Sequence, residues 1–94
     1  MQIRFYIDPA RRAPPIYGHG VTEEEVADVL ARPGEDRQGR DESRIAIGQT
    51  RAGRYLRVIY VPAPLPESVF VITAYELSGK PLAAYRKRRK QKRK

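Results

Sequence analysis

The apolar positions of this chain follow two periods, and each predicts its own kind of element. Val21, Val26, Val29 and Leu30 are spaced as one stripe of a helix. Thr22 stands before that stripe as an N-cap. Glu25, three residues on, can reach back to the Thr22 amide, and Val21 and Val26 bracket the cap as a hydrophobic staple. Glu23, Glu24 and Glu25 put carboxylates in the first turn, where the helix dipole favours anions. Pro33-Gly34 then stops the helix, so its predicted span is Glu23–Ala31.

Elsewhere the period is two. Residues 3–7 are rich in β-branched and aromatic side chains and read as a first strand. Three more strands are predicted at Arg44–Gln49, 55–61 and 69–75. The connection from Thr50 to Arg54 is short enough for a hairpin, with Gly53 available for a positive φ. Residues 9–15 and 34–43 read as loops, and the prolines at 62, 64 and 66 make a stiff connection without donors. Strand alternation puts Leu56, Val58 and Ile72 against the helix and turns Tyr55, Arg57, Thr73 and Tyr75 to the opposite, partly exposed face. A final helix over residues 82–89 has Leu82, Ala83, Ala84 and Tyr85 as its only apolar content, and repulsion between like charges at helical spacing frays its far end. The expected fold is α+β: a small antiparallel sheet of three or four strands, one helix packed on a face, and a short C-terminal helix.

Charge changes this picture. The 94 residues carry 19 Lys and Arg against 11 Asp and Glu, a net +8. Eight of those cations fall in the last nine residues, so residues 1–85 form a neutral single domain and residues 86–94 a basic tail. A compact cationic cluster attracts polyanions and releases their condensed counterions, which makes RNA or DNA the natural partner, although such a run also serves as a solubilising tail. With no cysteine and one histidine, no metal site or cofactor is expected. The N-terminal residues lack the long apolar core of a signal peptide and no run approaches a membrane span, so a cytoplasmic protein without a membrane partner is expected.

Four short stretches, in order, resemble the BrnT family of toxins. His19-Gly20-Val21-Thr22-Glu23-Glu24-Glu25-Val26 is similar to that family's "HGVS-EEA" helix entry. Arg44-Ile45-Ala46-Ile47-Gly48 is similar to its "R-x-x-x-G" strand, Gly53-Arg54-Tyr55-Leu56-Arg57-Val58 to its "GR-L-x-V" strand, and Val71-Ile72-Thr73-Ala74 to its "I-I-[ST]-A" strand. Ala84-Tyr85 stands where the family's terminal helix has "A-Y". The resemblance covers roughly residues 17–86. It implies a RelE-like fold, metal-independent ribonuclease activity, a type II toxin–antitoxin setting and a cognate antitoxin as partner. The chain departs from the family where Tyr75-Glu76 replaces arginines after the last strand and Pro81 takes the place of a glutamate. A related group of uncharacterised domains ends that strand with "T-A-Y", as here.

Metal-free RNA cleavage needs a base for the 2′-hydroxyl, cations on the phosphate and an acid for the leaving oxygen. Arg44 and Arg54, at matching family positions, are the candidates for the cations; lying at opposite ends of their hairpin, they converge only through long side chains or sheet twist, and Arg57 could replace Arg54. Tyr75 is a candidate for stacking or proton transfer. His19, the one side chain titrating near neutrality unaided, is a candidate acid or base, or else a ring packed at the helix entry. Arg57 and Tyr55 on the sheet face, with Arg86, Lys87, Arg88, Arg89 and Lys90 of the tail, are candidates for RNA contact. The expected function is that of a ribonuclease toxin, with a non-catalytic RNA-binding or protein-interaction module on the same fold as the alternative.

Overall fold

The computed structural model describes residues 1–65 and 67–92. It is an α+β fold with a five-stranded mixed sheet and three helices. In chain order the elements are β1 (Gln2–Phe5), α1 (Pro15–Gly18), α2 (Glu23–Ala31), β2 (Glu35–Gln38), β3 (Arg44–Gln49), β4 (Tyr55–Pro62), β5 (Ser68–Glu76) and α3 (Gly79–Lys92). The strands lie in the order β1-β5-β4-β3-β2. β1 runs parallel to β5, and every other pairing is antiparallel.

α2 is the element that its sequence signals specify most fully. The Thr22 hydroxyl accepts from the Glu25 amide at 3.1 Å, and the Glu25 carboxylate accepts from the Thr22 amide at 3.0 Å. This reciprocal cap satisfies two donors that the first turn would otherwise leave open. Val21 and Val26, the staple, are both buried. Below α2, Val26, Val29 and Leu30 meet Leu56, Val58, Val71 and Ala74 of the sheet, with Ile16 of α1 closing the same core.

The sheet differs from the expected one in two strands. The stretch 34–43, expected as a loop, contributes β2, and β1 adds a parallel pairing to a sheet expected to be antiparallel. β2 is the all-polar sequence Glu-Asp-Arg-Gln, so no apolar alternation announces it. It pairs with β3 from Glu35↔Ile47 to Gln38↔Arg44, and its side chains are held by ion pairs and hydrogen bonds instead of a core. A short charged edge strand also resists edge-to-edge association.

Face assignment along β5 departs from simple alternation. Ile59 pairs with Thr73 but Tyr60 pairs with Val71, so Ile72 is an extra residue in a bulge. From there on the faces switch. Leu56 and Val58 face α2 as expected, yet Ile72 does not join that core; Val69, Val71 and Ala74 do. The bulge has no residue signature that separates it from a regular strand.

The second face of the sheet is not bare. α3 begins at Gly79, three residues earlier than expected, and continues to Lys92 without fraying among the described residues. Tyr85 and Leu77 are buried against Ile47, with Ile45, Tyr55 and Leu82 packed around them. The β3–β4 hairpin closes as expected, with Gly53 at φ +96° and its amide bonded to the Thr50 carbonyl at 2.9 Å. Of the proline-rich connection 62–66, Pro62 ends β4 and Pro66 lies outside the described residues, as do residues 93 and 94 of the tail. Among the described residues, no helix is long and apolar enough to cross a membrane.

Candidate nucleic-acid interface

α3 leans against the sheet at one end, and a groove of about 690 Å³ opens between it, the end of α2 and the β3–β4 turn. Its floor is built from close backbone contact. A Cβ at Gly48 would lie 3.3 Å from the Gly34 amide nitrogen and 3.4 Å from the Arg32 carbonyl, so glycine lets the α2–β2 connection rest on β3. A Cβ at Gly34 would collide with the Tyr85 hydroxyl, so a second glycine seats α3.

Among the described residues, five cations line the groove: Arg32 at the end of α2, Arg51 in the hairpin turn, and Arg86, Arg89 and Lys90 on α3. Among the described residues the one carboxylate in the lining is Asp28, and it is already engaged. Arg51 donates its amide to Asp28 at 3.0 Å and holds its guanidinium 3.6 Å away. Arg89 Nη1 donates to the Gly34 carbonyl at 2.6 Å. Arg86 lies over the Tyr55 ring, 5.0 Å from its centroid, and Tyr55 meets Tyr85 edge to face at 6.0 Å. Burial pushes the Tyr85 phenol above its ordinary range, keeping it neutral beneath the cations. A guanidinium stacked on an aromatic ring is a platform on which a nucleobase can lie.

The tail candidates therefore divide. Arg86, Arg89 and Lys90 line the groove and Lys87 is exposed, whereas Arg88 turns inward. Its guanidinium makes two hydrogen bonds to Glu35, at 2.7 and 2.9 Å, and this carboxylate raises the Arg88 pKa further.

Beyond the groove the same sheet face carries Arg57, two residues along β4 from Tyr55 and opposite Tyr75 of β5. Arg57 is half-buried, its Nε has no acceptor, and among the described residues it has no ion pair. Thr73, on the neighbouring strand, has a buried hydroxyl oxygen that likewise has no partner among the described residues. A half-buried guanidinium without an anion is costly to leave so, and an anionic ligand is the natural relief.

The catalytic candidates fall in two places. Arg44 pairs in register with Tyr60 on the α2 side of the sheet. Its Nε bonds Asp36 at 2.9 Å, and Asp36 also accepts from the Tyr60 hydroxyl at 2.6 Å. The Asp36 bond raises the Arg44 pKa; burial foremost, with the Asp36 bond second, raises that of Tyr60. Arg54 lies at the other end of the hairpin, about 20 Å away along the strand at the ordinary rise. It donates to the Gly20 carbonyl at 2.8 Å and to Glu25 at 3.0 Å, and it reaches Glu76 at 3.5 Å. His19 and Tyr75, the chain neighbours of Gly20 and Glu76 in that second cluster, have ring centroids 5.8 Å apart at an edge-to-face angle of 71°. The fold thus gathers His19, Arg54 and Tyr75 at one end and sets Arg44 apart. Among the described residues, no group of three or more His, Asp or Glu side chains is arranged to hold a metal ion.

Two groove residues escaped the sequence reading, Arg32 and Arg51. Each is an isolated surface arginine in the sequence, and only the approach of α3 makes either part of a cluster. No protein-family model matches this chain, and no curated protein matches it.

Proposed function

We propose that this protein binds RNA, with the groove between α3, the end of α2 and the β3–β4 turn as its primary contact surface. The observation that carries this reading is the charge balance of the groove among the described residues: five cations against one carboxylate, which Arg51 already holds. Tyr55 with Arg86 on its ring offers a stacking surface at the same place. Arg57, which has no ion pair among the described residues, extends the track across the sheet. Phosphates are met by the guanidinium groups, and bases by the aromatic–guanidinium stack, so recognition follows backbone and stacking more than base edges.

Fluorescence anisotropy of a labelled RNA oligomer tests this over a range of salt. Replacing Arg32, Arg51 and Arg86 together by Gln should weaken binding and flatten the slope of log K against log salt by about 2, at roughly 0.7 per lost phosphate contact. Affinity and slope equal to those of the unaltered protein would overturn the groove as the contact surface.

A second reading has the same fold as a metal-independent endoribonuclease, a toxin held in check by a protein antitoxin. The meeting of His19 with Tyr75 beside Arg54 favours it, as does the resemblance to BrnT toxins. In that reading His19 moves a proton, Tyr75 stacks or donates, and Arg54 or Arg57 meets the phosphate. RNA incubated with the purified protein in EDTA should be cut, and His19→Ala should slow cutting by about 10²-fold. RNA left intact by the protein, freed of any antitoxin, leaves binding without catalysis.

A further inference from the structure

α3 carries three of the five groove cations, yet its apolar anchors lie only in its first half and just ahead of it. Leu77, Leu82 and Tyr85 fasten that half to Ile45, Ile47 and Tyr55. From Arg86 onward the helix is Arg, Lys and Gln, with nothing apolar to hold it. Like charges at helical spacing repel, so this half would unwind if left alone. It is instead continuous to Lys92. Three contacts explain this: the pair of hydrogen bonds from Arg88 to Glu35, the bond from Arg89 to the Gly34 carbonyl, and Arg86 resting on the Tyr55 ring. The Glu35 side chain is only 10 % exposed. It is set on the first residue of β2, where the register opposite Ile47 turns it toward α3.

We infer that Glu35 is a positioning residue for RNA binding: by holding Arg88 it orients the second half of α3 so that Arg86, Arg89 and Lys90 face the groove. This rests on the RNA-binding reading and adds to it that a carboxylate strengthens binding to a polyanion. Charge counting gives the opposite sign. Removing a carboxylate from a chain of net charge +8 should tighten its hold on RNA, and freeing Arg88 should tighten it again. Preorganisation outweighs that gain here, because each long basic side chain left to wander must be immobilised again when RNA binds.

The experiment compares Glu35→Gln with Glu42→Gln, an equal change of charge at an exposed residue of the β2–β3 turn, using the labelled RNA oligomer across a salt series. Glu35→Gln should bind about tenfold more weakly, with a flatter salt slope, while Glu42→Gln binds as tightly as the unaltered protein or more so. Arg88→Gln provides a second route to the same state. The double variant should be little weaker than Arg88→Gln alone, because both substitutions undo the Arg88–Glu35 pair, and Arg37 lies at the longer distance of 4.0 Å from Glu35. Circular dichroism at the assay temperature verifies that the sheet and α2 persist. Glu35→Gln binding as tightly as Glu42→Gln would overturn the role of Glu35 and leave the groove standing. Absence of RNA binding by the unaltered protein would overturn both.

Discussion

Arg88 and Arg51 apart, which Glu35 and Asp28 hold, the two faces of the sheet use arginine differently. On the α2 side the arginines are committed. Arg44 bonds Asp36, and Arg54 ties the Gly20 carbonyl, Glu25 and Glu76 into one corner. These groups join elements distant in sequence, and they sit around a closed apolar core. On the α3 side Arg57 has no anion, Arg86 rests on an aromatic ring, and Arg32 and Lys90 line a groove without an ion pair among the described residues. A paired guanidinium has little field to offer a ligand, whereas an unpaired one beside aromatic surface has both charge and a plane. The comparison locates ligand chemistry by the cations that the fold leaves unneutralised, and the two faces should respond differently to substitution.

The largest difference concerns the core itself. Leu56 is fully buried between α2 and the sheet. Leu56→Ala should cost about 2–5 kcal/mol in urea unfolding, the range for truncating a buried leucine. Below its melting transition this variant should keep its RNA affinity, because Leu56 does not line the groove, which α2 borders only with its end. A loss of affinity as large as the loss of stability would join the two faces into one energetic unit.

Arg54 and Arg57 give the sharpest contrast, since they lie three residues apart on the same chain segment. Arg54→Ala removes bonds to two carboxylates and a carbonyl, and should destabilise by about 1–3 kcal/mol while barely changing RNA affinity. Arg57→Leu removes a half-buried cation that has no ion pair among the described residues, and should leave stability unchanged or raise it by up to about 1 kcal/mol. The same substitution should weaken RNA binding severalfold. Equal destabilisation by both variants, read from thermal melts, would mean that Arg57 is as structural as Arg54.

The legible parts of the molecule are those set by local interactions. The capping box, the staple and the Pro33-Gly34 stop all lie within a dozen or so residues, and α2 spans the predicted Glu23–Ala31. β3 likewise spans the predicted Arg44–Gln49. β2 was hidden because its four polar residues become a strand only beside β3, with Arg88 and Tyr60 arriving from far along the chain to take Glu35 and Asp36. The bulge at Ile72 was hidden because one inserted residue reverses a face without changing composition. For the site, the tail cations and Tyr55 could be read directly, but their division into groove-facing Arg86, Arg89 and Lys90 and inward-turned Arg88 depends on a contact spanning 53 residues. Arg32 and Arg51 join the cluster through tertiary approach alone.

The smallest expected effect lies at the α2 corner and depends on pH. Glu25 has its pKa lowered, chiefly by the hydrogen bond from the Thr22 amide and also by Arg54, against an opposing push from burial. The folded value therefore lies below the unfolded one. For a carboxyl shifted this way, the stabilisation is fully present above the unfolded pKa and disappears as pH falls through the folded pKa. Protonation weakens the cap and the Arg54 pair together, but both are partly solvated, so the contribution is below about 1 kcal/mol. Melting temperatures between about pH 6 and pH 3 should fall slightly more for the unaltered protein than for Glu25→Gln, whose amide oxygen can still accept from Thr22 but does not titrate. The two curves should run parallel above about pH 5 and approach each other below it. Arg57→Leu should leave this difference intact, because Arg57 lies on the opposite face and takes no part in the corner. A pH response that changes with Arg57 would show the two faces to be electrostatically coupled and weaken the division between them.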